Sequence, residues 1–265
     1  MKKIVVFQGG LGNQLFQYAI YEFVKHNICP DVRYVYRGKA HNGMELQKFF
    51  LADIRPAPVV YSKLLLGLDI LKRHGFKLLM SGENDEKPFS NLYVEGYWLT
   101  KKYLHPKLYH FREISLSERN KTILHEIEES ESVAIHVRRG DYLQPQYKDI
   151  YGNVCTVDYY DKALRMTKNR FRNPRYFVFS DDIFWCMNHL HIGEDACFVD
   201  WNTKDKSFYD MYLMAHAKAN VMANSTFSFW AAYLNENNPL VVYPKKWYNT
   251  HFAPPDFFKN DWVGI

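Results

Sequence analysis

The segment SVAIHVRRGDYL, residues 132–143, places polar and charged side chains directly after an apolar strand. Arg138 and Arg139 are adjacent, with His136 before them and Asp141 after them. Arginine presents a planar set of donors that matches pairs of phosphate oxygens. Because side chains alternate between the faces of a strand, one arginine can reach a ligand while its neighbour braces the loop through Asp141. A structural ion pair is the alternative. The pattern favours an anion site containing His136 and both arginines.

A second polar cluster lies near the carboxyl terminus, in ANSTFSFWAAYL, residues 223–234. Ser225 or Thr226 can cap the apolar helix that follows, with Asn224 and Ser228 beside them. The free N–H groups and the dipole at a helix N-terminus favour an anion. An ordinary helix cap is the alternative. We predict that this cluster and the arginines hold the same diphosphate.

Two carboxylates, Asp181 and Asp182, end the strand-like segment YFVFSDD. The acids are adjacent, whereas metal-dependent sugar-nucleotide enzymes usually carry D-x-D. We therefore expect these carboxylates to contact a ribose or base, or to cap the next helix, and we predict no metal site.

The chain opens with a short β-branched strand, a glycine turn, QGGLGNQ at residues 8–14, and a helical pattern that Asn13 can cap. Gly10 and Gly12 match part of a dinucleotide-binding fingerprint, but Leu15 stands where the third glycine should be. The pattern favours a glycine loop that a substrate can approach, with Asn13 and Gln14 supplying amides. A plain tight turn remains the alternative.

Strand-like and helical segments alternate through most of the chain, which predicts an α/β fold with parallel sheets. The pattern restarts near Ser132, so we predict two halves, residues 1–130 and 131–265. Ligands of such sheets bind at the carboxyl ends of the strands. Each polar cluster described above follows one of these strands.

The 265-residue chain has a net charge of +5 and a pI of about 8.8, a mild basic balance. No run of five Lys or Arg residues occurs, so a nucleic-acid partner is not expected. The four cysteines form no C-x-x-C pair and indicate reduced thiols in a cytoplasmic protein. No apolar run reaches the ~20 residues of a membrane span. The basic surface still suits contact with the inner face of a membrane.

Three motifs in order, GGLGNQLFQYA, HVRRGDY and NSTFSFWAAYL, resemble those of the α-1,2-fucosyltransferases of glycosyltransferase family 11. The segments EGYW and VDYYDKAL also lie where that family carries similar ones. The resemblance covers nearly the whole chain. It implies a GT-B-type architecture of two facing Rossmann-like halves with a cleft between them.

The resemblance also implies a reaction. L-Fucose would move from GDP-β-L-fucose, with inversion and without a metal or other cofactor, to the 2-hydroxyl group of a terminal galactoside. The second half would hold GDP, with Arg138 on the pyrophosphate, and the acceptor would lie beneath Gly10–Gln14. The catalytic base is not identified; Asp141, Glu95 and Glu45 are candidates. Family members of vertebrates carry a membrane anchor, and its absence implies a bacterial, cytoplasmic enzyme whose acceptor is a galactose-terminated or lipid-linked glycan.

Three alternatives remain open from the sequence. A related transferase of the same build would use another nucleotide sugar or form another linkage. A non-catalytic nucleotide- or glycan-binding module would bind without releasing GDP. An NAD oxidoreductase is disfavoured by Leu15.

Overall fold

The computed structural model describes residues 2–38, 42–76, 78–193 and 195–265. These residues form two compact units, which divide between Ile114 and Ser115. Each unit contains a parallel sheet, as the alternation of strands and helices predicted.

The first unit is built on a four-stranded sheet in the order β2-β1-β4-β3. Its elements are β1 (Ile4–Gln8), α1 (Leu11–Asn27), β2 (Arg33–Arg37), α2 (Leu46–Phe49), α3 (Val59–Arg73), β3 (Met80–Gly82) and β4 (Tyr93–Glu95). Strand β1 lies between β2 and β4, with Ile4 opposite both Arg33 and Tyr93. The chain after β1 therefore leaves the sheet between two neighbouring strands.

Helix α1 begins earlier than its sequence suggested. Gly10 occupies the N-cap position, and the backbone N–H groups of Asn13 and Gln14 both donate to its carbonyl. Asn13 consequently lies inside the helix, and the predicted Asn13 cap is wrong. The turn itself needs a glycine, because Gly9 has a φ of +77°, in the left-handed region. Gly12 and Asn13, two residues that favour turns, lie in the first turn of the helix and obscure where it starts.

The second unit carries a six-stranded parallel sheet. Its elements are α4 (Glu118–Glu129), β5 (Glu131–Val137), α5 (Pro145–Tyr151), α6 (Val157–Arg170), β6 (Pro174–Ser180), α7 (Ile183–His189), β7 (Cys197–Val199), α8 (Phe208–Met214), β8 (Ala219–Val221), α9 (Thr226–Tyr233), β9 (Leu240–Tyr243) and β10 (Val263–Gly264). Helix α4 packs on β5 and α8. The unit consequently begins before this helix, whereas the boundary predicted at 130/131 falls after it.

The strand order of the second sheet is β10-β9-β8-β5-β6-β7. From β5 the chain first builds outward through β6 and β7, and it then returns to the other side of β5 with β8. Strand order therefore reverses between β5 and β8, and such a switch point is where ligands of open α/β sheets bind. The central strand β5 is almost wholly buried, which its apolar sequence required.

Candidate active site

The carboxyl ends of three adjacent strands bring the predicted donor-site residues together. Val137 at the end of β5 lies opposite Ser180 of β6, and Ile135 lies opposite Val221 of β8. The arginines that follow β5 are thus flanked by Asp181 and Asp182 on one side. The segment before α9 flanks them on the other side. Parallel pairing puts all three strand exits at one edge of the sheet.

Arg138 lies between two carboxylates from different segments. Its Nη2 is 2.8 Å from Asp141 Oδ1, and its Nη1 is 3.2 Å from Asp181 Oδ2. Burial acts to lower the pKa of Arg138, but Asp181 and Asp141 outweigh burial and raise that pKa above its ordinary value. The guanidinium is therefore charged and held by two contacts that lysine cannot reproduce together.

Arg139 has a different environment. Its Nε donates to Asp182 Oδ2 at 3.1 Å, and its guanidinium carbon lies 4.0 Å from the centre of the Trp185 ring. Its backbone N–H donates to Asp181 Oδ1 at 2.8 Å. The sequence predicted that one arginine braces the loop through Asp141. In the structure Asp141 pairs with Arg138, and Asp182 holds Arg139.

The two aspartates after β6 organise this edge of the sheet. Asp182 also caps α7, because its Oδ1 accepts from the backbone N–H of Trp185 at 3.1 Å. Asp181 limits the size of its neighbour Gly140, where an added Cβ atom would lie 2.7 Å from Asp181 Oδ2. Both carboxylates are thus engaged with arginines. Across the described residues, no group of three or more His, Cys, Asp or Glu side chains is arranged to hold a metal ion.

The site is not a bare cationic pocket. Its two arginines carry a formal charge of +2 and its three aspartates, Asp141, Asp181 and Asp182, carry −3, so the five side chains sum to −1. An incoming diphosphate must therefore either displace an aspartate from one of the arginines or bind those arginine N–H groups that the aspartates do not contact. Asp141 is the carboxylate closest in sequence to Arg138 and belongs to a short 3-10 turn, residues 141–143.

The start of α9 follows β8 directly and is capped as predicted. Ser225 Oγ accepts from the backbone N–H of Phe227 at 3.2 Å. Ser228 is buried, and its hydroxyl group donates to the carbonyls of Ala223 and Ser225 at 3.1 Å each. Its contacts indicate that Ser228 fixes the turn. Thr226 is the first residue of the helix and is half-buried.

Asn224 is also used inside the protein. Its side-chain amide donates to the carbonyls of Tyr151 and Trp247, and its Oδ1 lies 3.6 Å from Cys155 Sγ. The side chain is buried. These contacts indicate that Asn224 fixes the segment before α9, and its predicted contact with the donor stays a prediction.

Tyr142 connects the arginines to the start of α9, a role that the sequence reasoning missed. Its hydroxyl group donates to the Asn224 carbonyl at 3.0 Å, and Arg138 lies 5.6 Å from its ring centre. The ring also stacks on Tyr151, with 4.9 Å between centroids. Its position one residue after Asp141, within the motif HVRRGDY, was the available signal.

His136 lies beneath this edge as a neutral base. Its ring packs against Phe227 at 5.6 Å, and its Nδ1 is buried with no hydrogen-bond partner among the residues that the structure describes. Burial, and secondly the charge of Arg138, lower the pKa of His136 to about 3. The ring therefore joins the two clusters by packing and carries no charge at neutral pH.

The residues predicted on the acceptor side lie in the first unit, at the carboxyl end of β1 and the start of α1. Gln14 is buried, with its Nε2 donating to the carbonyls of Gly9 and Gly43 and its Oε1 accepting from the backbone N–H groups of Glu45 and Leu46. Gln14 thus braces α1 against α2. Gly12 is buried in α1, while Gly10 and Asn13 are half-buried.

Two candidate bases of the first unit are already engaged. Glu95, at the end of β4, is buried and pairs with Lys72 and with Arg37 Nη2, the latter at 3.0 Å. Glu45 is buried and accepts from Asn42 at 3.0 Å. Each oxygen of the Glu95 carboxylate already meets a cation, which leaves less of its acceptor capacity for a substrate hydroxyl group. The described contacts favour a structural role for Glu95.

Comparison with known proteins identifies the family. The model of the family described as Glycosyl transferase family 11 matches residues 69–265. Alpha-1,2-colitosyltransferase of Escherichia coli is 31% identical over 269 residues, which cover 91% of this chain and 90% of that protein. The chain belongs to glycosyl transferase family 11. The mouse galactoside 2-alpha-L-fucosyltransferase Sec1 is 31% identical over 138 residues, which cover 50% of this chain and 38% of that protein.

Solved structures agree with the family assignment at the level of the fold. The NodZ alpha-1,6-fucosyltransferase soaked with GDP-fucose aligns with a TM-score of 0.52 at 14% identity, over 88% of this chain and 93% of that one. Escherichia coli ADP-heptose LPS heptosyltransferase II aligns with a TM-score of 0.50 at 12% identity, over 100% and 90%. The predicted GT-B-type fold class, with two parallel-sheet α/β units, is confirmed. The protein is a glycosyltransferase.

Proposed function

We propose that this family 11 glycosyltransferase moves L-fucose from GDP-β-L-fucose to the 2-hydroxyl group of a terminal galactoside, with inversion. The observation that carries the proposal is the junction at the switch point of the second sheet. There Tyr142 links Arg138 to the segment that starts α9. A guanidinium and a helix N-terminus are two donors suited to one diphosphate. The colitosyltransferase and galactoside fucosyltransferase relatives support this substrate class.

In the proposed step the bond between fucose C1 and the β-phosphate oxygen breaks as the acceptor oxygen bonds to C1 from the opposite face. Negative charge grows on the departing GDP, and the acceptor hydroxyl group loses its proton. Arg138 and the backbone N–H groups at the start of α9 are placed in advance to stabilise that charge, so they need no reorganisation. We expect no metal or other cofactor to take part, and GDP-fucose and a galactose-terminated or lipid-linked glycan are the proposed substrates.

The remaining residues of the site support Arg138. Asp181 positions it from β6, and Asp182 holds Arg139 against Trp185. Asp141 shares Nη2 of Arg138, so the incoming diphosphate would compete with it. Because Asp141 and Glu95 are both paired with cations, we propose a loose, dissociative displacement with late proton loss, which needs no strong base. The described geometry gives His136 no part in proton transfer.

A second donor is favoured by the relative that spans most of the chain, an alpha-1,2-colitosyltransferase. Colitose lacks the 3-hydroxyl group of L-fucose. Comparing the two sugars as donors therefore tests whether the donor pocket recognises that hydroxyl group. A pocket that hydrogen-bonds that hydroxyl group would reject colitose strongly. A pocket that is apolar there would discriminate only weakly.

The test is incubation of the protein with GDP-fucose and a panel of galactosides, including lactose, N-acetyllactosamine and type 1 chains. GDP release and linkage analysis of the product are measured. Parallel reactions use GDP-colitose, GDP-mannose and UDP-sugars, each with and without EDTA. The proposal expects a 2-linked α-fucoside that forms equally well with EDTA. Transfer from another donor only, another linkage, or GDP binding without release would overturn it.

A further inference from the structure

The outward face of α3 and the described residues after it expose many apolar side chains. Sixteen large hydrophobic side chains are exposed among the described residues, and nine of these lie between residues 59 and 79. They include Val59, Val60, Leu66, Ile70, Phe76 and Leu78. Such a concentration marks an interaction surface, because single exposed apolar residues are normally scattered.

These side chains are not needed for the core of their own unit. Helix α3 packs on the sheet through Leu65 and Leu68, which are buried with Ile4, Val6 and Met80. Leu66 and Ile70 lie on the other side of the helix and are 65% and 59% exposed. Residues four positions apart share one helix face, so Leu66 and Ile70 lie side by side on the outward face. We call the exposed hydrophobic side chains between residues 59 and 79 the apolar ridge.

The charge of this segment selects the partner. Residues 59–79 contain four basic residues, Lys63, Lys72, Arg73 and Lys77, and one acidic residue, Asp69, a net charge of +3. Asp69 is half-buried and paired with Arg37 at 2.8 Å, and Lys72 is paired with Glu95. Lys63 and Arg73 are exposed beside the apolar ridge. Apolar side chains combined with uncompensated basic ones are typical of helices that lie in the interface of an anionic bilayer.

We infer that the ridge formed by residues 59–79 docks the protein on an anionic lipid bilayer. A second copy of the chain is a poorer occupant, since two faces that each expose Lys63 and Arg73 would repel each other. An acidic protein partner would complement the basic residues. The nine exposed apolar side chains differ in length, however, and the fluid apolar interior of a bilayer accommodates them better. The inference does not depend on the donor sugar or on the linkage formed.

The test is flotation of the full chain with vesicles of phosphatidylcholine, and with vesicles of phosphatidylcholine and phosphatidylglycerol in equal parts. We expect binding to the anionic vesicles that weakens as salt is raised, and little binding to phosphatidylcholine alone. The double variant Leu66→Glu with Ile70→Glu removes two apolar contacts and adds two negative charges. Its partition coefficient should fall about tenfold or more.

A matched control replaces two exposed hydrophobic residues away from the ridge by glutamate, Leu51→Glu with Phe252→Glu, at positions that are 56% and 64% exposed. It should bind vesicles as the unmodified protein does. Circular dichroism and thermal unfolding show that both double variants are folded. Absence of binding to anionic vesicles, or equal binding by the ridge variant, overturns the inference. So does analytical ultracentrifugation that finds a dimer lost only in the ridge variant, without vesicle binding.

Discussion

Replacing Arg138 by lysine tests the central electrostatic element of the proposed site. The change keeps the positive charge and removes the planar pair of Nη donors. In the structure these donors reach two carboxylates on different segments, at 2.8 Å and 3.2 Å. The single ammonium group of lysine cannot contact both carboxylates and also bind a diphosphate.

The expected magnitude follows from these contacts. One lost hydrogen bond to a charged partner costs ~1.5–3 kcal/mol, which corresponds to roughly tenfold to a hundredfold in rate or binding. Removing a preorganised donor from a developing anion commonly costs ~10²–10³ in kcat. We therefore expect kcat/KM with GDP-fucose to fall by about 10²–10³ in Arg138→Lys, and most of the loss to appear in kcat.

The assay measures GDP release at several donor concentrations, and isothermal titration measures GDP binding separately. Arg139→Lys is the matched control, because Arg139 is engaged with Asp182 and Trp185. We expect that control to retain turnover within about tenfold and to unfold at a lower temperature, since a ring stack and an ion pair are lost. Near-normal turnover by folded Arg138→Lys would refute the reasoning, as would a larger catalytic loss in the control.

Three further predictions concern His136, Asp210 and the hydroxyl groups at the start of α9. Because the folded-state pKa of His136 is about 3 against an ordinary value of 6.5, the proton binds the unfolded chain better. The wild type should therefore lose stability as pH falls from about 6.5 towards 3, by up to roughly 1.4 kcal/mol per pH unit, whereas His136→Gln should lose less in urea titrations across that window. Burial raises the pKa of Asp210 to about 8, against the opposing hydrogen bond from Asn202, so its ionisation costs stability as pH rises from about 4 to 8. Asp210→Asn should raise the unfolding free energy at pH 8 and change it little at pH 4; equal shifts at both would contradict the assignment. Ser228→Ala should cost about 1–3 kcal/mol of stability with the donor KM unchanged, because its hydroxyl group bonds only to backbone carbonyls in the described contacts, and Ser225→Ala should cost about 1 kcal/mol through loss of the cap. Thermal unfolding and donor kinetics separate the two variants, and a raised donor KM in Ser228→Ala would show a ligand role.

The active-site elements were predictable where the signal is local. The apolar run before His136, the hydroxyl residues before α9 and the alternation of strands with helices all follow from neighbouring residues. Ser225 is the cap that its position predicted. Short elements were harder to predict. Strand β10 was not predicted, because its two residues are too few to show a periodic pattern.

Amino-acid sequence alone determined that two arginines and a polar helix start would follow strands of one parallel sheet, because residue type and periodicity fix strands, turns and caps locally. Only the tertiary structure decided which carboxylate each arginine meets, since Asp181 and Asp182 lie more than 40 positions away along the chain. The same holds for Gln14 and Asn224, whose amides the fold commits to backbone groups from distant segments. The pairings of the arginines and of Asn224 depend on the register of β5 with β6 and β8, and that register is set by packing across the whole sheet.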